Sequence, residues 1–157
     1  MLLAYVISRL DQNNSLLLGV PKSTTHKLQM VQNACAKMIY GARKHDHVTP
    51  LLKELHWLPV EQRIVFKTLL LVFKCMKGVA PAYLSELITV YVPSRSLRSE
   101  GKGLLCIPDR HYANTRKRDF AYRGPMEWNQ LPQDIRDSKS VDTFKRKLKT
   151  HLFRIAF

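Results

Sequence analysis

The most informative segment of the sequence runs from His47 to Gly78 and reads HVTPLLKELHWLPVEQRIVFKTLLLVFKCMKG. Thr49 is predicted to cap a helix with Pro50 in its first turn, because proline lacks the N–H group that the first turn of a helix leaves unpaired. Pro59 disfavours helical geometry at the residue before it, so this short helix is expected to end near Trp57. A second helix is predicted to begin at Pro59 and to end in a left-handed turn at the closing glycine.

The second helix is apolar almost all round from Ile64 to Met76, which predicts that neighbours bury it on several sides. Its basic residues are the exception, because at about 100° per residue they fall within one arc of about 80°. A basic stripe on a core helix faces either water or a polyanion, and a solvated edge is the more frequent case. The stripe consists of Arg63, Lys67, Lys74 and Lys77.

The charge balance of the chain is strongly basic. Its 157 residues include 26 Lys and Arg against 12 Asp and Glu, a net charge of +14. Such an excess is typical of proteins that bind nucleic acid or another anionic surface. A hydrophobic content of 45% argues against disorder, and the length predicts one domain with or without a short appendage.

Two further helices are predicted on either side of this stretch. Ser23 is expected to cap a helix that runs to about Tyr40, with Gly41 just past its end, and Ser140 is expected to cap the last helix. The buried stripe of the earlier helix is predicted to be Leu28, Val31, Cys35 and Met38. The last helix is expected to bury Val141, Phe144, Leu148, Leu152 and Ile155, with Lys145, Arg146, Lys147, Lys149 and Arg154 off that arc.

The remaining segments complete a mainly α prediction, an irregular helical bundle with at most a short β-hairpin in the C-terminal part. Pro81 opens a short helix, Tyr83 to Leu87, and residues 104–107 form a short strand at most. An apolar patch around Trp128 is expected to be interrupted by Gly124 and Pro125. We divide the chain into a thumb-like bundle (1–92), a linker rich in Ser, Gly and Arg (93–103) and a basic C-terminal extension (104–157).

No catalytic constellation is apparent in the sequence. Metal-dependent phosphate chemistry needs converging carboxylates, and the aspartates here stand singly. His45-Asp46-His47 is interpreted as a solvated loop rather than a metal site, and the three cysteines form no CxxC. We therefore expect no cofactor, no metal and no small-molecule substrate. No segment is long enough to span a bilayer, so an intracellular protein without a membrane partner is expected.

Trp57 and Trp128 each precede a Leu-Pro pair, in HWLP and WNQLP. An exposed tryptophan beside basic residues can stack on an unpaired base. Core packing is the favoured interpretation at both positions.

Four strings together resemble one family: residues 8–39 (SRLDQNNSLLLGVPKSTTHKLQMVQNACAKMI), 47–87, 93–99 (PSRSLRS) and 128–153 (WNQLPQDIRDSKSVDTFKRKLKTHLF). They look like the tail of the reverse transcriptase of non-LTR (LINE-type) retrotransposons, closest to the chicken-repeat and jockey-like groups. The part of the resemblance most specific to this family is a combination of strings in fixed order. LHWLPVEQRI (55–64) and FK (66–67) are followed by KG (77–78), AP (80–81) and YL (83–84).

The resemblance implies the thumb end and C-terminal extension of an RNA-directed DNA polymerase, helical, basic and close to the template–primer. The family's aspartate pair and endonuclease domain have no counterpart in this sequence, so a non-catalytic fragment is expected. Its partners would be RNA or DNA backbones and the missing polymerase domain. The candidate nucleic-acid-binding residues are Arg63, Lys67, Lys74, Lys77, Arg116, Lys117, Arg118, Lys145, Arg146, Lys147 and Lys149.

Two other interpretations stay open at the level of sequence. One is a helical protein-interaction module, whose apolar central helix docks on the polymerase domain while the basic stripe is merely solvated. The other is a non-functional remnant of a transposon copy.

Overall fold

The structure of the chain is a computed structural model that describes residues 8–93, 103–108 and 119–157. Helices dominate these residues, which confirms the mainly α prediction. Residues 8–11 are helical and a 3-10 helix follows at Asn14–Leu17. The α-helices, in chain order, are α1 (Lys22–Tyr40), α2 (Thr49–Glu54), α3 (Val60–Met76), α4 (Ala82–Ser85), α5 (Phe120–Asn129), α6 (Gln133–Arg136) and α7 (Val141–Ala156).

The central helix α3 begins and ends where proline and glycine predict. Pro59 is its N-cap, and Gly78 has φ 67° just past its end. The amide of Gly78 donates to the Cys75 carbonyl at 3.1 Å, and the next amide, that of Val79, donates to Lys74 at 3.0 Å. These bonds satisfy carbonyls that the helix end leaves unpaired, and the left-handed φ favours glycine.

Two predicted caps are wrong, and the short helix ends earlier than expected. The N-caps of α1 and α2 are Pro21 and Val48, with no side-chain capping bond, so Ser23 and Thr49 already lie inside the helices. Helix α2 ends at Glu54, because the next turn closes with His56 at φ 53°, a left-handed conformation. Ser140 does cap α7, and its hydroxyl accepts a bond from the Thr143 amide at 3.2 Å.

The hydrophobic core forms around α3, which packs against α5 and α7. Three buried rings meet at its centre. Phe73 of α3 stacks on Phe144 of α7 with centroids 4.3 Å apart, and Trp128 of α5 lies 5.7 Å from Phe144. The described parts of segments 1–92 and 104–157 therefore share one core. Most of the predicted linker between them lies outside the described residues, and the segment division stays a prediction.

Helix α5 runs through Gly124 and Pro125, where an interruption was expected. Both residues are buried in the helix. A Cβ atom built on Gly124 would lie 3.0 Å from Cγ2 of Val72, so the glycine lets α5 approach α3 closely. Packing against α3 outweighs the backbone hydrogen bond that proline removes from a helix interior.

A single antiparallel bridge joins Val90 and Leu105 in the described part of the chain, where a short strand was predicted. The backbone amide of Leu105 donates to Oδ1 of Asn129 at 2.9 Å. The backbone carbonyl of Leu105 accepts from Nδ2 of the same side chain, also at 2.9 Å. Asn129 therefore pairs with this backbone as a neighbouring strand would. Trp128 donates to the Gly103 carbonyl at 2.9 Å, which places the short segment against the core.

Helix α1 buries a different face from the predicted one. Its buried residues are Thr25, Gln32 and Ala36. In the predicted apolar stripe Val31 is 48% exposed and Met38 is 70% exposed. The last predicted core position of α7, Ile155, is also 62% exposed, because it lies in the final turn of the helix.

The buried face of α1 is polar because it holds the joint between α2 and α3. Gln32 is fully buried, and its Nε2 donates to the Leu58 carbonyl at 2.9 Å. Oε1 of Gln29 accepts the Val60 amide at 2.8 Å, and its Nε2 donates to Oε1 of Gln32 at 3.0 Å. These two amides satisfy backbone groups that flank Pro59 and have no partner within a helix. We call them the glutamine clamp.

No helix among the described residues combines the length and apolar character needed to cross a membrane.

Candidate nucleic-acid interface

A cleft of about 440 Å³ opens where the α2–α3 joint, α3 and α7 meet. It brings together residues that are far apart in the sequence, because α3 and α7 are held side by side through the Phe73–Phe144 stack. We call it the joint cleft. The side chains that matter for its chemistry are Asp11, His56, Trp57, Arg63, Lys67 and Lys149.

Arg63 does not offer a free positive charge to the joint cleft. Its Nη2 lies 2.6 Å from Oδ2 of Asp11, and its Nε donates to Oδ1 of the same carboxylate at 2.9 Å. Both side chains are largely buried, and such a two-point pair is among the stronger ion pairs in proteins. Arg63 therefore ties the helical turn before the 3-10 helix to α3, and its charge is compensated.

Lys67 and Lys149 are the cations that remain in the joint cleft. Lys67 is half-buried on α3 and Lys149 is exposed on α7. Neither forms an ion pair with an acidic side chain among the described residues. The fold therefore places two uncompensated lysines from different helices at the same opening, where a phosphate backbone could contact both.

The other two members of the basic stripe lie elsewhere on α3. Lys74 follows Lys67 by seven residues, about 10 Å along the helix axis, and it does not line the cleft. Nζ of Lys77 lies 5.5 Å above the centroid of the Phe73 ring, a cation–π contact at the helix end. The stripe predicted as one surface is thus divided between the cleft and the far end of the helix.

The cations of α7 are distributed over both flanks of its buried face. Lys145 lies 3.8 Å from the Asp142 carboxylate, and Nζ of Lys147 donates to the Asp134 carbonyl at 2.7 Å. Arg146 and Lys147 line a second cleft of about 450 Å³ between α6 and α7, and only Lys149 faces the first. The second cleft also carries His151 and Arg154, which the list of candidate residues omitted. Arg116, Lys117 and Arg118 lie outside the described residues.

The two tryptophans have different environments. Trp128 is 1% exposed and belongs to the core, as predicted. Trp57 is half-buried and lines the joint cleft beside the lysines. Its neighbour His56 stacks on Phe153 of α7 with centroids 6.1 Å apart. The sequence signal for this arrangement is the histidine–tryptophan pair before Pro59, but the approach of α7 depends on long-range packing.

The pKa of Glu127 on α5 is raised above its ordinary value of 4.5, because burial disfavours the charged carboxylate more than Arg123 stabilises it. The pair is loose, with Nη1 and Oε1 separated by 3.6 Å. Nε of Arg123 is buried without a hydrogen-bond partner. The charged form of Glu127 is therefore electrostatically unfavourable in the folded chain at neutral pH.

We expect Glu127→Gln to change the pH dependence of stability. Because the folded-state pKa is the higher one, the contribution of Glu127 is fully present below pH 4.5 and is lost as the pH rises through the raised value. The free energy of unfolding of the wild type, relative to the variant, should therefore fall between acid and neutral pH. Urea titrations over this range measure it, with Glu86→Gln at an exposed carboxylate as the control. A relative gain of the wild type at neutral pH would contradict the assignment.

In the described ranges, no group of three or more His, Cys, Asp or Glu side chains is arranged to hold a metal ion. The carboxylate of the predicted His-Asp-His loop has a local role, since Oδ2 of Asp46 accepts the Arg43 amide at 2.6 Å.

No family model, curated protein or solved structure matches this chain.

Proposed function

We propose that this chain is a non-catalytic nucleic-acid-binding part of a larger protein and contacts the backbone of a duplex through the joint cleft. The observation that carries the proposal is the convergence of Lys67 and Lys149, both without acidic partners, next to the half-buried Trp57. A net charge of +14 supports it, because a polyanion is attracted before any specific contact forms. Lysines in such a cleft position a phosphate backbone without reading sequence.

The resemblance to non-LTR retrotransposon reverse transcriptases gives this proposal its context. In that setting the chain would form the thumb and tail of an RNA-directed DNA polymerase and act in the cytoplasm or nucleus. Its partners would be the primer–template and the polymerase domain. The alternative in which α3 docks on that domain gains no support, because most of the apolar side chains of α3 are covered by α5 and α7.

The test is a fluorescence-anisotropy titration of a labelled RNA–DNA primer–template duplex with the full chain. Binding is expected to weaken steeply between about 50 and 200 mM salt, because neutralised phosphates release counterions. The double variant Lys67→Glu/Lys149→Glu should lower affinity by about tenfold or more. The slope of log affinity against log salt concentration should fall by the amount that corresponds to about two phosphate contacts.

A matched control separates the cleft from total charge. Lys27→Glu/Lys44→Glu changes the net charge equally, at two exposed lysines outside the joint cleft. Its loss of affinity should be clearly smaller, and its salt dependence should follow the wild type. Equal losses in both variants, or no binding at low salt, would overturn the proposal.

A further inference from the structure

The exposed apolar face of α1 is the largest departure from the pattern expected of a helix on a closed core. Its side chains lie within an arc of about 100° on the helix, while the buried residues Thr25, Gln32 and Ala36 lie about 90° away. A surface helix normally turns its apolar face inward and its polar face to water. We define the α1 face as Val31, Cys35, Met38 and Ile39, whereas Leu28 packs against the core beside Leu18, Val60 and Ile64.

Helix α1 cannot rotate to bury these apolar side chains. The glutamine clamp fixes the rotation of the helix, because Gln32 and Gln29 bond to Leu58 and Val60 on either side of Pro59. Turning the apolar stripe inward would break both bonds and leave those backbone groups buried without partners, which is costly. The α1 face is therefore held outward by the fold itself, with Val31 48%, Ile39 41% and Met38 70% exposed.

The charge around the α1 face indicates the chemistry of its partner. Helix α1 contains no carboxylate among its 19 residues, and of its cations Lys27 lies beside the α1 face, whereas Lys22, His26 and Lys37 lie on the opposite side of the helix. Lys27 borders the apolar stripe one turn before Val31. The chain as a whole carries +14, so two copies placed face to face would bring like charges together. A partner with an apolar centre and an acidic edge satisfies both requirements.

We propose that the α1 face docks on a protein surface that is apolar at its centre and carries carboxylates around it. Met38, the most exposed of these side chains, suits such a contact, because its flexible thioether adapts to irregular surfaces. This site lies on a different helix from the joint cleft and is independent of the proposed nucleic-acid binding. Both can therefore be tested on the same protein.

The probe is a synthetic amphipathic helical peptide built from leucine and glutamate, with a leucine–lysine peptide of the same pattern as its counterpart. The acidic peptide is expected to bind the full chain and to slow alkylation of the Cys35 thiol, which is free, half-buried and part of the α1 face. Mass spectrometry distinguishes this thiol from Cys75 and Cys106. The lysine peptide should neither bind nor protect Cys35.

Val31→Glu/Met38→Glu is expected to lower affinity for the acidic peptide at least tenfold, while circular dichroism and primer–template binding stay close to the wild type. Leu16→Glu/Val79→Glu is the matched control, since it adds the same charge at two exposed apolar side chains outside α1. Equal loss in the control would overturn the proposal. So would stronger protection of Cys35 by anionic phosphatidylserine vesicles, or a concentration-dependent dimer that protects it.

Discussion

Phe144→Ala is expected to destabilise the chain by about 3–5 kcal/mol, the largest effect predicted for any single change. The Phe144 ring is fully buried and stacks on Phe73 at 4.3 Å, so its removal leaves a cavity between α3 and α7. Natural domains are stable by only about 5–15 kcal/mol, so much of the folded population would be lost. Guanidinium titration followed by circular dichroism measures the change.

The same experiment tests whether the two predicted segments fold as one unit. Phe73 belongs to the first segment, and Trp128 and Phe144 belong to the last, so all three rings should lose their packing together. The fluorescence of the tryptophans and the helical signal are then expected to change in one coincident transition. Two separate transitions, with the first unaffected by the substitution, would show that the segments fold independently.

Phe157→Ala is the control for the loss of an aromatic ring from the end of the same helix. Phe157 is half-buried and makes an edge contact with Phe153 at 4.8 Å. Its removal should cost clearly less than the removal of Phe144, because a site at the helix end can relax around the change. A cost equal to that of Phe144→Ala would argue against the central position of the stacked rings.

Gln32→Leu is expected to cost about 2–3 kcal/mol although it replaces a buried polar side chain with an apolar one of similar size. The substitution removes the donor to the Leu58 carbonyl and the acceptor for Nε2 of Gln29. The Leu58 carbonyl would remain buried without its partner, whereas the half-buried Gln29 would keep its bond to Oδ1 of Asn33 at 2.8 Å. The α2–α3 joint would lose half of the glutamine clamp. Urea unfolding provides the measurement.

Gln133→Leu is the matched control, since Gln133 is an exposed residue at the start of α6. It should change the free energy of unfolding by no more than about 0.5 kcal/mol. If Gln32→Leu proved equally harmless, the clamp would not be what determines the orientation of α1. The exposure of the α1 face would then need a different physical explanation.

Much of the candidate site depends on pairings that periodicity does not contain. The sequence predicted the basic stripe of α3 as one surface, but its members have different roles once Asp11 and α7 are in place. Arg63 is paired at 2.6 Å, Lys67 lines the joint cleft and Lys77 lies over a phenylalanine ring. No local pattern predicts which carboxylate or which helix will approach a given lysine.

The sequence alone predicted the boundaries of α3 and the C-terminal end of α1, whereas it did not predict α5 and α6 as helices. Proline and glycine act through the geometry of their own backbone, so Pro59 and Gly78 delimit α3 and Gly41 ends α1, whatever surrounds them. The mainly α class and the positive charge follow from composition and spacing in the same way.

Which face of α1 is buried and which cations meet depends on how the helices pack. The apolar stripe of α1 favoured one rotation of the helix, whereas the backbone beside Pro59 required hydrogen-bonding partners, which Gln29 and Gln32 provide. Leaving those buried groups unpaired is expected to cost more than exposing part of Val31 and Met38, so the polar face lies inside. That competition is between residues about 30 positions apart, and it is settled only when the helices pack.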